Sequence, residues 1–140
     1  MGSDQVGIKK GSFGSLFFVR SMNYKQKIGK FGENLAKDYL VRHGYKILGM
    51  NIKISYKEVD IIASYGKLIV FVEVKTRVFL GWGGAEEAIN DQKIANLVQA
   101  LDLYIYEKKL DENFVRLDFI AIDIDKNKKI ANIKHYKDVI

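Results

Sequence analysis

Residues 57–76 read KEVDIIASYGKLIVFVEVKT. Two β-rich apolar runs, 57–64 and 67–76, flank Tyr65-Gly66, a dipeptide suited to a tight hairpin turn. The second run carries a carboxylate, Glu73, and an ammonium, Lys75, in a stretch otherwise as apolar as a sheet interior. Strand alternation puts Ile69, Phe71, Glu73, Lys75 and Arg77 on one face, and Leu68, Val70, Val72 and Val74 on the other. A turn at Tyr65-Gly66 pairs Ser64 with Lys67, Asp60 with Phe71 and Glu58 with Glu73, and adds Val59, Ile61 and Ala63 to the apolar face. Asp60 and Glu73 become diagonal neighbours, roughly 7–8 Å apart. Glu58, Asp60, Glu73 and Lys75 then gather at one end of the sheet. Three carboxylates so placed repel one another, and one ammonium does not neutralise them. A hard divalent ion does: Mg²⁺ takes one or two carboxylates plus waters and phosphate oxygens. The competing reading is a strand end in solvent, where Glu and Lys form weak surface pairs. A one-residue slip would turn Asp60 to the other face, so the site depends on register.

Outward from this hairpin, residues 24–43 turn helical, with Ile28, Phe31, Gly32, Leu35, Ala36, Tyr39 and Leu40 on one stripe. Gly44 is the expected stop, and 45–54 reads as a strand. After the glycine-punctuated connection 78–90, Asp91 is the expected cap of a second helix reaching about Lys109. Segments 114–124 and 128–136 read as two more strands. The predicted order is α-βββ-α-ββ, one domain over 22–140. Residues 1–21, rich in Gly and Ser, read as a loose N-terminal extension. Met22 reads as a natural start, with part of that tail a cloning remnant, a point that intact mass of the native gene product decides.

The 140 residues suit a single core-forming domain. The absence of cysteine excludes a disulfide framework and a thiolate zinc or nucleophile site, and fits a reducing cytoplasm. The net charge of +6 suits a polyanion partner, or simply a basic soluble surface. No apolar run approaches the roughly 20 residues of a membrane span, so no membrane partner is expected. His43 and His135 lack metal-ligand spacing, and no glycine-rich phosphate loop is present.

The interval Asp60 … Glu73-Val74-Lys75 resembles the signature of the PD-(D/E)XK nuclease superfamily. In order along the chain stand KFGENLAKDYLVRHGYKILGMN (30–51), KEVDIIA (57–63), LIVFVEVKTR (68–77), GGAEEAI (83–89), RLDFIAIDI (116–124) and IKHYKDVI (133–140). Together these resemble the bacterial YraN-type family of small endonuclease-related proteins, over about 28–140. The resemblance implies an α/β restriction-endonuclease-like fold, a mixed central sheet flanked by helices, similar to Holliday junction resolvases. It implies Mg²⁺- or Mn²⁺-dependent cleavage of DNA, possible on branched substrates, with Asp60 and Glu73 holding the metal and Lys75 orienting or activating the water. Glu33 matches a helical acid of resolvase-like sites. A homodimer is implied by analogy, since a junction offers two symmetric cuts. Lys57 departs from the pattern, standing where a glycine usually precedes Glu-hydrophobic-Asp, and offers a phosphate contact instead.

Each remaining residue has two readings. Glu33 is a site acid or a helix-start charge. Arg77 is a phosphate contact or a solvated strand end. Lys93 is an anion contact in the first helical turn or a surface lysine. Trp82 is a base-stacking ring or a cover over the core. Arg116 and Asp118 read as a structural ion pair. The whole chain is a metal-dependent nuclease or a non-catalytic nucleic-acid-binding or assembly module that keeps the acidic cluster.

Overall fold

The computed structural model describes residues 1–8, 23–78 and 90–140. The elements are β1 (Gly2–Gly7), α1 (Tyr24–Arg42), β2 (Lys46–Ile54), β3 (Lys57–Tyr65), β4 (Leu68–Val78), α2 (Asp91–Lys108), β5 (Val115–Asp125) and β6 (Ile130–Tyr136). They form a six-stranded mixed sheet in the order β1-β6-β5-β4-β3-β2. Only the central pair among these, β4 with β5, is parallel, as a crossover containing α2 requires. This is the α/β arrangement expected, a mixed sheet flanked by helices, consistent with the restriction-endonuclease-like fold.

Each helix covers one face with the stripe its sequence spells. On one side Ile28, Phe31, Ala36, Tyr39 and Leu40 of α1 meet Val70, Val72, Val74 and the even-numbered isoleucines 120–124. On the other, Leu97, Ala100 and Leu101 of α2 meet Ile54, Ile62, Phe71 and Leu117. Each fully buried aliphatic or aromatic side chain contributes about 1.5–3 kcal/mol, which is why a strand such as β4 carries an apolar run on both faces. α1 opens on a capping box in which Asn23 and Gln26 satisfy each other's backbone N–H. It stops at Gly44, whose φ of 88° is the left-handed conformation that favours glycine.

Four expectations need correction. Residues 2–7 are not a loose extension: they pair antiparallel with β6, Gly2 opposite His135 through Gly7 opposite Ile130. Asn90, not Asp91, caps α2, its side chain accepting from the Lys93 N–H. The β3–β4 turn is Gly66-Lys67, because Tyr65 pairs with Leu68 and Gly66 takes the left-handed position at φ 56°. Phe71 therefore faces Ile62, not Asp60. Because the pairing shifts by two residues, faces are preserved along the regular ladder. The last correction concerns Val59, which packs with Ile62 and Phe71 on the α2 side rather than with Ile61 and Ala63.

The reason lies in a break of alternation. The β2–β3 ladder runs Met50 to Ile61 and resumes with Ile52 to Val59, omitting Asn51 and Asp60. Met50 and Ile61 pack under α1, whereas Ile52 and Val59 pack under α2. Both strands thus change face at Asn51 and Asp60, and Asn51 absorbs the rotation at φ 52°, a conformation asparagine tolerates better than most residues. The β3–β4 ladder ends at the same level, at Ile61 and Val72. β3 stays with β2 down to Lys57, so the hairpin turns away from β4 as a unit. β4 continues along β5 to Val78.

Candidate active site

The divergence of β3 from β4 opens a wedge that becomes an open cleft of about 720 Å³. Its walls include Glu33 and Lys25 of α1, Asp60 of β3, Glu73, Lys75, Thr76 and Arg77 of β4, and Lys93 of α2. Six residues singled out in the sequence, Glu33, Asp60, Glu73, Lys75, Arg77 and Lys93, therefore meet in one place. Asp60 stands one step beyond the end of the β3–β4 ladder, beside Glu73. Its Oδ2 accepts from the Val74 N–H at 2.8 Å, the donor a continuing ladder would have given to β3.

Charge in the cleft is finely divided. Burial, then the charge of Glu73, pushes Asp60 up to about 8, against the opposing Val74 hydrogen bond. Burial also raises Glu33, with Glu58 and Glu73 adding to it and Lys30 and Asn51 opposing. Glu73, 9% exposed, is paired with Lys93, Nζ to Oε1 at 2.9 Å. Lys75 is lowered from the usual lysine range by burial and by the nearby cations Lys93, Lys25 and Arg77, against the pull of Glu73. A carboxylate this high beside a second carboxylate gains most from a cation brought between them.

The donor set is oxygen-only. Among the described residues no three His, Cys, Asp or Glu side chains close on one point. Asp60 and Glu73 offer the carboxylate oxygens that a hard divalent ion such as Mg²⁺ or Mn²⁺ takes, one or two at a time, with water and phosphate completing its shell.

Other expected residues fall elsewhere. Lys57 lies outside the cleft, donating to Asn96 at 3.2 Å and Gln99 at 2.9 Å of α2. Glu58 faces Lys53 on β2 instead of Glu73. Gly32 lets α1 approach the sheet, packed on Thr76, while Gly29 has open space around it. Trp82 lies outside the described residues. Arg116 and Asp118 do form a structural pair, inside a larger network. Asp118, fully buried, accepts from Arg116 Nε at 2.8 Å, from the Asp138 N–H at 3.0 Å and bonds His135 Nε2 at 2.7 Å. Tyr45 and Tyr39 close it against Arg116 and His135. Asn51 was missed, although an asparagine inside a strand-like run is itself the signal of a left-handed break.

Comparison with known proteins is consistent in one direction. A "UPF0102 protein" of Caldicellulosiruptor bescii is 42% identical over 118 residues, covering 84% of this chain and 98% of that one. Another, of Carboxydothermus hydrogenoformans, is 38% identical, covering 83% and 97%. The solved structure "Pyrococcus Furiosus SfsA in complex with Ca2+" covers 80% of this chain and 63% of that chain at TM-score 0.35 and 14% identity, too remote to carry an argument. The model of "Uncharacterised protein family UPF0102" matches residues 32–122. The chain belongs to the UPF0102 family, the YraN type.

Proposed function

We propose that this protein is a metal-dependent nuclease that hydrolyses phosphodiester bonds in DNA, acts in the cytoplasm, and works as a homodimer on branched substrates. The observation that carries the reading is the junction of Asp60 and Glu73 with Lys75 in one open cleft, walled by Glu33 and further cations. Asp60 and Glu73 would hold Mg²⁺ or Mn²⁺. When bound, such an ion supplies Lewis-acid stabilisation of the phosphate and a more acidic water. Lys75, lowered by its surroundings, orients the attacking water and sets positive charge where the transition state gains negative charge. Glu33 faces the same space and accepts a proton readily, its carboxyl being raised. Arg77 and Lys93 line the cleft for backbone phosphates, and Lys57 extends the basic surface beyond it. No described helix is long and apolar enough to cross a membrane.

A second reading, a nucleic-acid-binding or assembly module without turnover, draws on the Lys93–Glu73 ion pair, which already neutralises one proposed ligand. The test uses purified protein with Mg²⁺ or Mn²⁺ against duplex, single-stranded, flap and four-way DNA, and RNA. The control is the double variant Asp60→Ala with Glu73→Ala. Cleavage lost in the double variant supports the nuclease. Cleavage unchanged in it rules out the site, and binding without cleavage favours the second reading.

A further inference from the structure

Asn51 stands on β2, outside the acidic and basic residues that make the cleft, yet it makes the most determined polar contact next to it. With its amide nitrogen toward the acceptors, it donates to Glu33 Oε1 at 2.6 Å and to Glu58 Oε1 at 3.2 Å. Its oxygen accepts from Lys30 Nζ at 2.9 Å. The reverse orientation would set the amide oxygen against two carboxylates, so the side chain has one allowed state. Its backbone is equally committed, at φ 52° where β2 and β3 change face. One residue thus ties the rotation of the hairpin, which brings Asp60 to the cleft, to the orientation of the acid arriving from α1.

We infer that Asn51 is a positioning residue for Glu33, fixing that carboxylate at the cleft wall through the amide bridge between β2 and α1. This rests on the nuclease reading. Glu33 enters on a helix that also bears Lys30 one turn earlier, and an unguided carboxylate there would turn to that ammonium. Asn51 occupies the Lys30 ammonium with its oxygen and the Glu33 carboxylate with its nitrogen, holding the two apart at the ends of one planar group. Outer partners of this kind typically change activity or metal affinity by about 10–100-fold when removed.

The experiment compares Asn51→Gly, Glu33→Ala and the double variant, with Asp60→Ala/Glu73→Ala as control. Glycine accepts the left-handed backbone and removes the side chain that carries the amide, and the thermal melt reads any cost of the freer backbone. Measured are kcat/KM on the best DNA substrate, Mn²⁺ affinity by calorimetry and thermal stability. The expected result is a fall in kcat/KM of about 10–100-fold in each single variant, no further fall in the double, and Mn²⁺ affinity kept within a few-fold of wild type in all three, since Asp60 and Glu73 hold the ion. Cleavage within twofold of wild type in Asn51→Gly, strictly additive losses, or no effect of Glu33→Ala would overturn the inference while leaving the nuclease reading standing. A wild-type protein that cleaves nothing, or a control variant as active as wild type, defeats the nuclease reading and the inference with it.

Discussion

The carboxylate of Asp60 caps the N–H of Val74, at 2.8 Å, from the far side of the gap where β3 leaves β4. That bond holds an acid in a buried position beside Glu73, and its cost is visible in the raised Asp60 carboxyl.

The first prediction is a pH dependence. Asp60 titrates near 8 when folded and near the ordinary 3.9 when unfolded, so between these values the native state binds more protons. Stability without divalent ions therefore falls as pH rises from about 4 to 8. Chemical denaturation across this range should show the slope in wild type and lose it in Asp60→Asn. A stability that rises with pH over that range in wild type, with no change on substitution, contradicts the assignment.

Lys93 supports Glu73 and depresses Lys75, so its removal has effects of opposite sign. Lys93→Met should bind Mn²⁺ more tightly, because Glu73 loses its internal counter-charge. It should bind DNA more weakly, with a salt slope reduced by about 1. Calorimetry and salt-titrated binding read the two effects separately, and weaker Mn²⁺ binding would count against the competition.

At Gly32 the backbone of α1 lies directly against the Thr76 side chain of β4. A Cβ at Gly32 would fall on the Thr76 side chain, within 2.6 Å of its Cβ. Gly32→Ala should cost about 1–3 kcal/mol by overpacking. The Thr76 hydroxyl is buried without a hydrogen-bond partner among the described residues, so Thr76→Val should be neutral or stabilising. Thermal melts of both variants check the contrast.

Far from the cleft, Asp118 is the common acceptor of Arg116, His135 and the Asp138 N–H. Burial would raise its carboxyl, but these bonds outweigh it and hold it below the ordinary value. The stability this contributes is complete above about pH 4 and is lost as pH falls through the lowered folded value. Asp118→Ala, which strands a mostly buried guanidinium, should cost about 3–5 kcal/mol. Cleavage per folded molecule should stay unchanged, since no member of this network lines the cleft.

Much of this was legible in sequence because it is periodic. The α1 and α2 stripes, the β4 run and the face carrying Glu73 and Lys75 follow from spacing alone. What escaped is set by partners. The dipeptide Tyr65-Gly66 does not say which neighbour joins the glycine in the turn, so the register moved by two residues. β1 has no strand-like composition and is a strand because β6 presents an edge to it. Lys57 reads as free until Asn96 and Gln99 arrive from α2. Asn51 is polar without chemistry of its own, and its importance appears only when α1 lies over β2.

The parallel β4–β5 pair has a bearing on the order of assembly. β2, β3 and β4 are joined by two-residue turns and can zip locally, which places Asp60 beside Glu73 early. Lys93 reaches Glu73 only with the α2 crossover, a slower, non-local event. In the interval two acids face each other without their cation, a kinetic brake that protonation releases. Stopped-flow refolding should then be faster at pH 5 than at pH 9, and Asp60→Asn should erase most of that difference.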